Sequence, residues 1–91
     1  MRPLKLPSTL LHEQANACLA DWLAQLPKSP PAEVVLDASA LTQFDSSALA
    51  VLLGLRRALL AQGSALRVEG MTGRLRELAV LYGVMDLLPS T

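Results

Sequence analysis

The residues in this chain able to make bonds, move protons or hold ions are few, and only one group is clustered. Asp45, Ser46 and Ser47 are consecutive, with Asp37 a short loop upstream; His12 and Cys18 are the only histidine and the only cysteine. A hydrolase needs a nucleophile with a base beside it. His12, at the start of the first predicted helix, reads as a solvated surface residue rather than a partner for Ser46. Asp37 and Asp45 can be read as paired carboxylates for acid–base or metal work; the simpler reading gives Asp37 a loop-ordering role and Asp45 a helix-capping one. One cysteine allows no intramolecular disulfide and disfavours a Cys-based metal site. Cys18 falls on the apolar side of its helix and reads as a core thiol. No glycine-rich phosphate loop is present, so the chain is not expected to be an ATPase itself. No catalytic residue, metal or cofactor is expected.

Ser46 has two readings. At a helix N-terminus, free amides and the helix dipole favour an anion, so a phosphoryl group there would be well solvated and could switch off binding at that surface. Equally, Asp45 and Ser46 are the ordinary cap and first-turn residues of a helix.

These side chains must be positioned by the elements around them. Leu4-Lys5-Leu6 alternates and predicts a short strand. After Pro7, Ser8 and Thr9 are candidate caps for a helix over residues 10–26. Leu11, Ala15, Cys18, Leu19, Trp22 and Leu26 mark its apolar side, and Glu13, Asn16, Asp21 and Gln25 its polar side. Pro27 ends it, and Lys28-Ser29-Pro30-Pro31 is a stiff connection. Val34-Val35-Leu36 predicts a strand buried on both faces, central in a sheet covered by helices, and Asp37 closes it. Ala38 to Phe44 reads as a loop with two apolar anchors. Asp45 opens a helix from Ser46 to Ala61, stopped by Gly63. Leu66-Arg67-Val68-Glu69 predicts a strand nearer an edge. Thr72 caps a third helix through Tyr82, with Leu75, Leu78, Ala79 and Tyr82 on one side. Gly83 stops it, and Leu87-Leu88-Pro89 close the chain. Trp22 and Tyr82 are expected in the core. The β-α-β-α-β-α order predicts one α/β domain over residues 1–91 with largely parallel pairing.

The second helix carries the most specific signal. At about 100° per residue, Ala48, Leu52, Leu55 and Leu59 form its core stripe. Ser46, Ala50, Leu53 and Arg57 share a side nearly opposite, flanked by Leu49 and Leu60, and the small Ala50 and Gly54 would admit a close neighbour. Ser46, Leu49, Ala50, Leu53 and Arg57 together read as a protein-docking face. The other reading is that some part of this same domain covers it. Arg57 would meet an acidic residue of a partner; Arg56 reads as solvated.

Ninety-one residues bound a modest core, built from Leu, Val and Ala because Trp, Tyr and Phe occur once each. Eight basic and eight acidic residues cancel, which argues against nucleic acid and against a polybasic membrane contact. No signal peptide and no bilayer-spanning stretch is expected, which points to the cytoplasm.

The run LDASALTQFDSSALAVLLGL resembles the signature of STAS domains, the family of anti-sigma factor antagonists and related modules. That signature is an aspartate after the central strand, then an aspartate and a hydroxyl residue opening the next helix. The run LRELAVLYGVMDLLP is similar to the end of the STAS subunits of Mla-type phospholipid transporters. The resemblance covers Val34 to Pro89 and, more weakly, the first helix. It implies a STAS-like small mixed sheet covered by helices. It also implies a non-catalytic cytoplasmic subunit that binds the ATPase subunit of an ABC transporter, peripheral to the inner membrane and not inserted in it. Such a subunit supports phospholipid transport between membranes and outer-membrane lipid asymmetry. The alternative it implies is an anti-sigma factor antagonist, partnered by an anti-sigma factor kinase and phosphorylated on Ser46, which matches the family's phosphoacceptor position. Two departures stand out. Ala48 occupies a position usually held by Gly, and its methyl is expected to narrow the space beside Ser46. The N-terminal strand region is shortened, which is expected to leave a sheet edge open and to invite a homodimer.

Overall fold

A computed structural model of the chain describes residues 3–88. In chain order the elements are β1 (Leu4–Lys5), β2 (Thr9–Leu10), α1 (His12–Gln25), β3 (Glu33–Asp37), β4 (Gln43–Phe44), α2 (Ser47–Leu60), β5 (Ala65–Glu69), α3 (Gly73–Leu81) and a 3₁₀ turn at Met85–Leu87. Pro89 lies outside the described residues. The α/β class and the STAS-like order are as expected, with two refinements. Every strand pair among the described residues is parallel, so the sheet is not mixed: β1, β3 and β5 lie side by side with β3 central, and β2 pairs separately with β4. The β2–β4 pair also corrects the role of Ser8 and Thr9. They cap nothing: Ser8 O accepts from the amides of Thr42 (2.8 Å) and Gln43 (3.0 Å), and Thr9 is a strand residue. A β-branched residue with a backbone partner within reach takes the extended conformation, and α1 starts three residues later than Thr9.

β3 is not buried on both faces. Val34 and Leu36 are buried, with Leu66 and Val68 beside them on β5, whereas Val35 is only half-buried. The outer face holds Glu33, Val35, Asp37, Arg67 and Glu69, none of them buried. Arg67 spans it, with Nη2 2.9 Å from Glu69 Oε1 and Nε 3.5 Å from Glu33 Oε1. The helices therefore cover one face, and alternation along β3 does the sorting.

Neither sheet edge is the open template that the short N-terminus suggested. On β1, Leu6 N–H donates to Asp37 O at 2.9 Å, so by alternation the backbone groups of Lys5 face outward. The Trp22 indole N–H donates to Lys5 O at 3.1 Å, and Pro3 and Pro7 bracket the strand. A buried tryptophan thus occupies the acceptor that an added strand would need. On β5 the outward groups belong to Leu66 and Val68, which are 4% and 0% exposed.

α2 is the spine of the core. Ala48, Leu52, Leu55 and Leu59 are buried as expected, and so are Leu49 and Val51. Gly54 does not await a partner protein: a Cβ there would stand 3.0 Å from Leu19 Cδ2, so the glycine admits α1. Gly54→Ala is expected to be close to neutral in urea unfolding, because the helix-propensity gain of about 1 kcal/mol offsets a small displacement of a flexible leucine tip. Gly54→Leu is expected to wedge the helices apart and lower the unfolding midpoint clearly. An unchanged midpoint for the leucine variant would show the α1–α2 contact to be loose. Gly63 and Gly83, both at positive φ, end α2 and α3 with paired backbone bonds: Ser64 N to Leu59 O and Gly63 N to Leu60 O, then Val84 N to Ala79 O and Gly83 N to Val80 O.

Candidate docking site

The chemistry-bearing cluster lies where β4 runs into α2. The formal boundary residue, Ser46, has helical dihedrals and makes no side-chain cap bond. The capping atom belongs to Asp45, whose Oδ1 accepts from Ser47 N at 2.8 Å. Its Oδ2 accepts from His12 N at 3.2 Å. Asp37 Oδ1 accepts from Ser39 N at 2.9 Å and holds the turn after β3. Both carboxyls sit below the usual carboxylate range: Asp45 because the Ser47 amide donates to it, Asp37 because the hydroxyl and amide of Ser39 do.

A depressed folded-state pKa stabilises the fold above the unfolded value, near 3.9, and that contribution is lost as pH falls through the folded-state value. The melting temperature is therefore expected to be flat with respect to these groups from pH 7 to 5 and to drop below about pH 4. Asp45→Asn is expected to shallow that drop in a thermal-melt series. Identical acid limbs for wild type and variant would remove Asp45 from the account.

His12 is brought close to Ser47, not Ser46, with Nδ1 3.5 Å from the hydroxyl. The nearby carboxylate binds the His12 backbone amide rather than its ring. That is not the nucleophile–base–orienter arrangement of a hydrolase, in which the carboxylate orients the imidazole. Cys18 is half-buried and, because of burial and then Asp21, its thiol is pushed up to about 11, so it stays protonated.

The expected face on α2 is only partly a surface. Ser46, Ala50 and Arg57 are exposed. Leu49 is 2% exposed and belongs to the core, and Leu53 is half-buried against it. Ala48 is fully buried, so its methyl points into the interior and does not crowd Ser46.

The larger apolar surface lies next door, at the end of α3. Val80 (62%), Leu81 (78%) and Tyr82 (56%) are exposed. Tyr82 was expected in the core; it is the residue closing the helix, beyond the Leu75–Ala79 stripe that faces inward. Between this helix end and the start of α2 runs a groove of about 370 Å³, with Leu78, Leu81 and Tyr82 on one wall and Phe44, Asp45 and Ser46 on the other. Arg74 lines it too, its guanidinium 5.5 Å from the Phe44 ring centroid. The signal for this surface was present in the sequence: on a wheel, Val80 and Leu81 fall well off the Leu75–Ala79 side that faces the core.

Among the described residues no helix is long and apolar enough to cross a membrane. No curated protein matches the chain. The family model described as "Mlab, STAS domain" matches residues 3–89, nearly the whole chain. With its parallel sheet, its Asp-Ser opening of α2 and this match, the chain belongs to the STAS domain family, in its MlaB-like branch.

Proposed function

We propose that this domain is a non-catalytic subunit that docks onto the ATPase of an Mla-type ABC transporter and so supports phospholipid transport between membranes. The observation that carries the reading is the exposed Leu81–Tyr82 end of α3 beside the groove that Ser46 lines. A tyrosine and an arginine next to exposed aliphatics have the composition of an interface centre. The family match fits this reading, and the choice of an ABC ATPase as partner rests on the resemblance to the STAS subunits of Mla-type transporters. The site works as a surface: it offers apolar area, the Arg74 guanidinium, the Asp45 and Glu77 carboxylates and the hydroxyls of Ser46 and Tyr82. In this reading the domain is cytoplasmic and reaches the inner membrane only through the transporter.

The test is co-purification of the chain with an Mla-type ABC ATPase and permease, followed by titration of the purified ATPase. A stoichiometric complex is the expected result; no complex at micromolar concentrations would sink the reading.

One observation favours a second reading, an anti-sigma factor antagonist. The Ser46 side chain is exposed and makes no cap bond, so the hydroxyl is free to accept a phosphoryl group. Incubation with a candidate anti-sigma kinase and ATP, read by intact mass, separates the two. Added phosphate on Ser46 would favour the antagonist, and none would count against it.

A further inference from the structure

α1 begins without a cap of its own. Its boundary residue is Leu11, whose side chain has no oxygen to offer. Gln14 Oε1 accepts from Leu11 N at 3.0 Å, which leaves the next amide, that of His12, to be satisfied from elsewhere. It is satisfied by Asp45 Oδ2, from a segment far along the chain, while Asp45 Oδ1 caps α2. One carboxylate therefore serves two helix starts, and both are ends at which a negative charge is favourable.

We infer that Asp45 is a shared cap and a positioning residue for the docking surface: it ties the start of α1 to the start of α2 and thereby sets where Ser46 and the adjoining groove wall stand. This rests on the docking reading above. Asp45 and Ser46 form one wall of the groove, yet Asp45 is held by an amide of α1, no residue of which lines that groove. A change at the first residue of α1 is thus passed to the docking wall through the bond from the His12 amide to Asp45, beside the ring's contact with the Ser47 hydroxyl.

The test uses a substitution that deletes that donor. His12 is the first helical residue, where proline is well tolerated, and Leu11 before it is extended (ψ 175°), as a residue preceding proline requires. His12→Pro removes the N–H, and His12→Ala removes the imidazole but keeps the N–H. Both variants lose the ring contact with the Ser47 hydroxyl, so His12→Ala is the baseline: in amide NMR spectra of the full chain, His12→Pro is expected to shift the Ser46 and Ser47 signals beyond their positions in His12→Ala and to speed Ser47 exchange severalfold over that variant. ATPase binding is expected to weaken about 3- to 10-fold in His12→Pro and further in Asp45→Ala, which also loses the Ser47 cap; adding His12→Pro to Asp45→Ala should cost nothing more, because the bond it removes is already gone. Should His12→Pro fail to fold, Asp45→Ala tests the same bond from its other end, read at the His12 amide, whose exchange is expected to speed severalfold; unchanged His12 exchange would overturn the shared cap. Ser46 and Ser47 signals in His12→Pro no different from those in His12→Ala would overturn it too. Moved signals with unchanged ATPase binding would support the shared cap and overturn the docking surface.

Discussion

Leu81→Asp is expected to cost the domain at least about 30-fold in affinity for its ATPase partner while leaving the fold intact. Leu81 is 78% exposed, so the isolated domain loses almost no buried area by the change. Substitutions at such positions stay within about 0.5 kcal/mol, which moves the melting temperature of a domain this size by roughly 2–4 °C. In the complex the same carboxylate would be desolvated in an apolar contact, with Glu77 of the same groove repelling it and Arg74, stacked on Phe44, the one opposite charge lining that groove. Tyr82→Ala should give a smaller loss in the same direction, since it deletes area without adding charge. The comparison that isolates the effect is with Leu53→Asp. Leu53 packs against the core, so a charge there is expected to lower the stability of the free domain as well, and lost binding would report the fold as much as the surface. Calorimetric titration of each purified variant, paired with a thermal melt, distinguishes them. Undiminished binding by Leu81→Asp would remove the end of α3 from the interface and return attention to Ala50 and Arg57.

How far the sequence led follows from what kind of signal each feature leaves. The core stripe of α2 was legible because burial on a long amphipathic helix repeats four times at helical spacing. The strand centre at Val34–Leu36 was legible from its β-branched residues, but its outer face was not, because a run of three apolar residues looks the same whether one or two faces are covered. Ser8 and Thr9 misled because cap residues and short strands share a composition, and only the distant Gln43–Phe44 segment decides between them. Leu49 and Gly54 were misplaced for a related reason. A helical wheel shows which residues share a side of one helix and says nothing about α1 or α3 packing alongside, so a helix buried on most of its circumference looks as if it had a second apolar surface. The double duty of Asp45 leaves no local signal for α1 at all, since the carboxylate that completes that helix lies in another element.

Gly70→Ala is expected to be the most damaging small substitution in the chain, because two independent costs meet at one residue. Gly70 has φ +68°, a region where an added Cβ costs roughly 1–2 kcal/mol. The Cβ would also stand 2.9 Å from Ser39 Cβ and 3.2 Å from Ser39 N, next to Asp37 Oδ1 at 3.3 Å. These atoms cannot swing aside like a side-chain tip: they belong to the turn that Asp37 holds and that is tied to β5 by Ala38 N donating to Glu69 O at 2.7 Å. A combined loss of about 2–4 kcal/mol follows, a large share of the roughly 5–14 kcal/mol available to a domain of this length. Gly63→Ala provides the control. Gly63 has φ +77° with nothing within 4 Å of its added Cβ, so it carries the conformational cost without the collision. In urea unfolding at pH 7, Gly63→Ala should lower stability by about 1 kcal/mol and Gly70→Ala by clearly more, the difference measuring the close approach of β5's end to the Asp37 turn. Equal losses at the two glycines would mean that the Ser39 turn gives way freely, and that Asp37 orders a loop on which the rest of the fold does not depend.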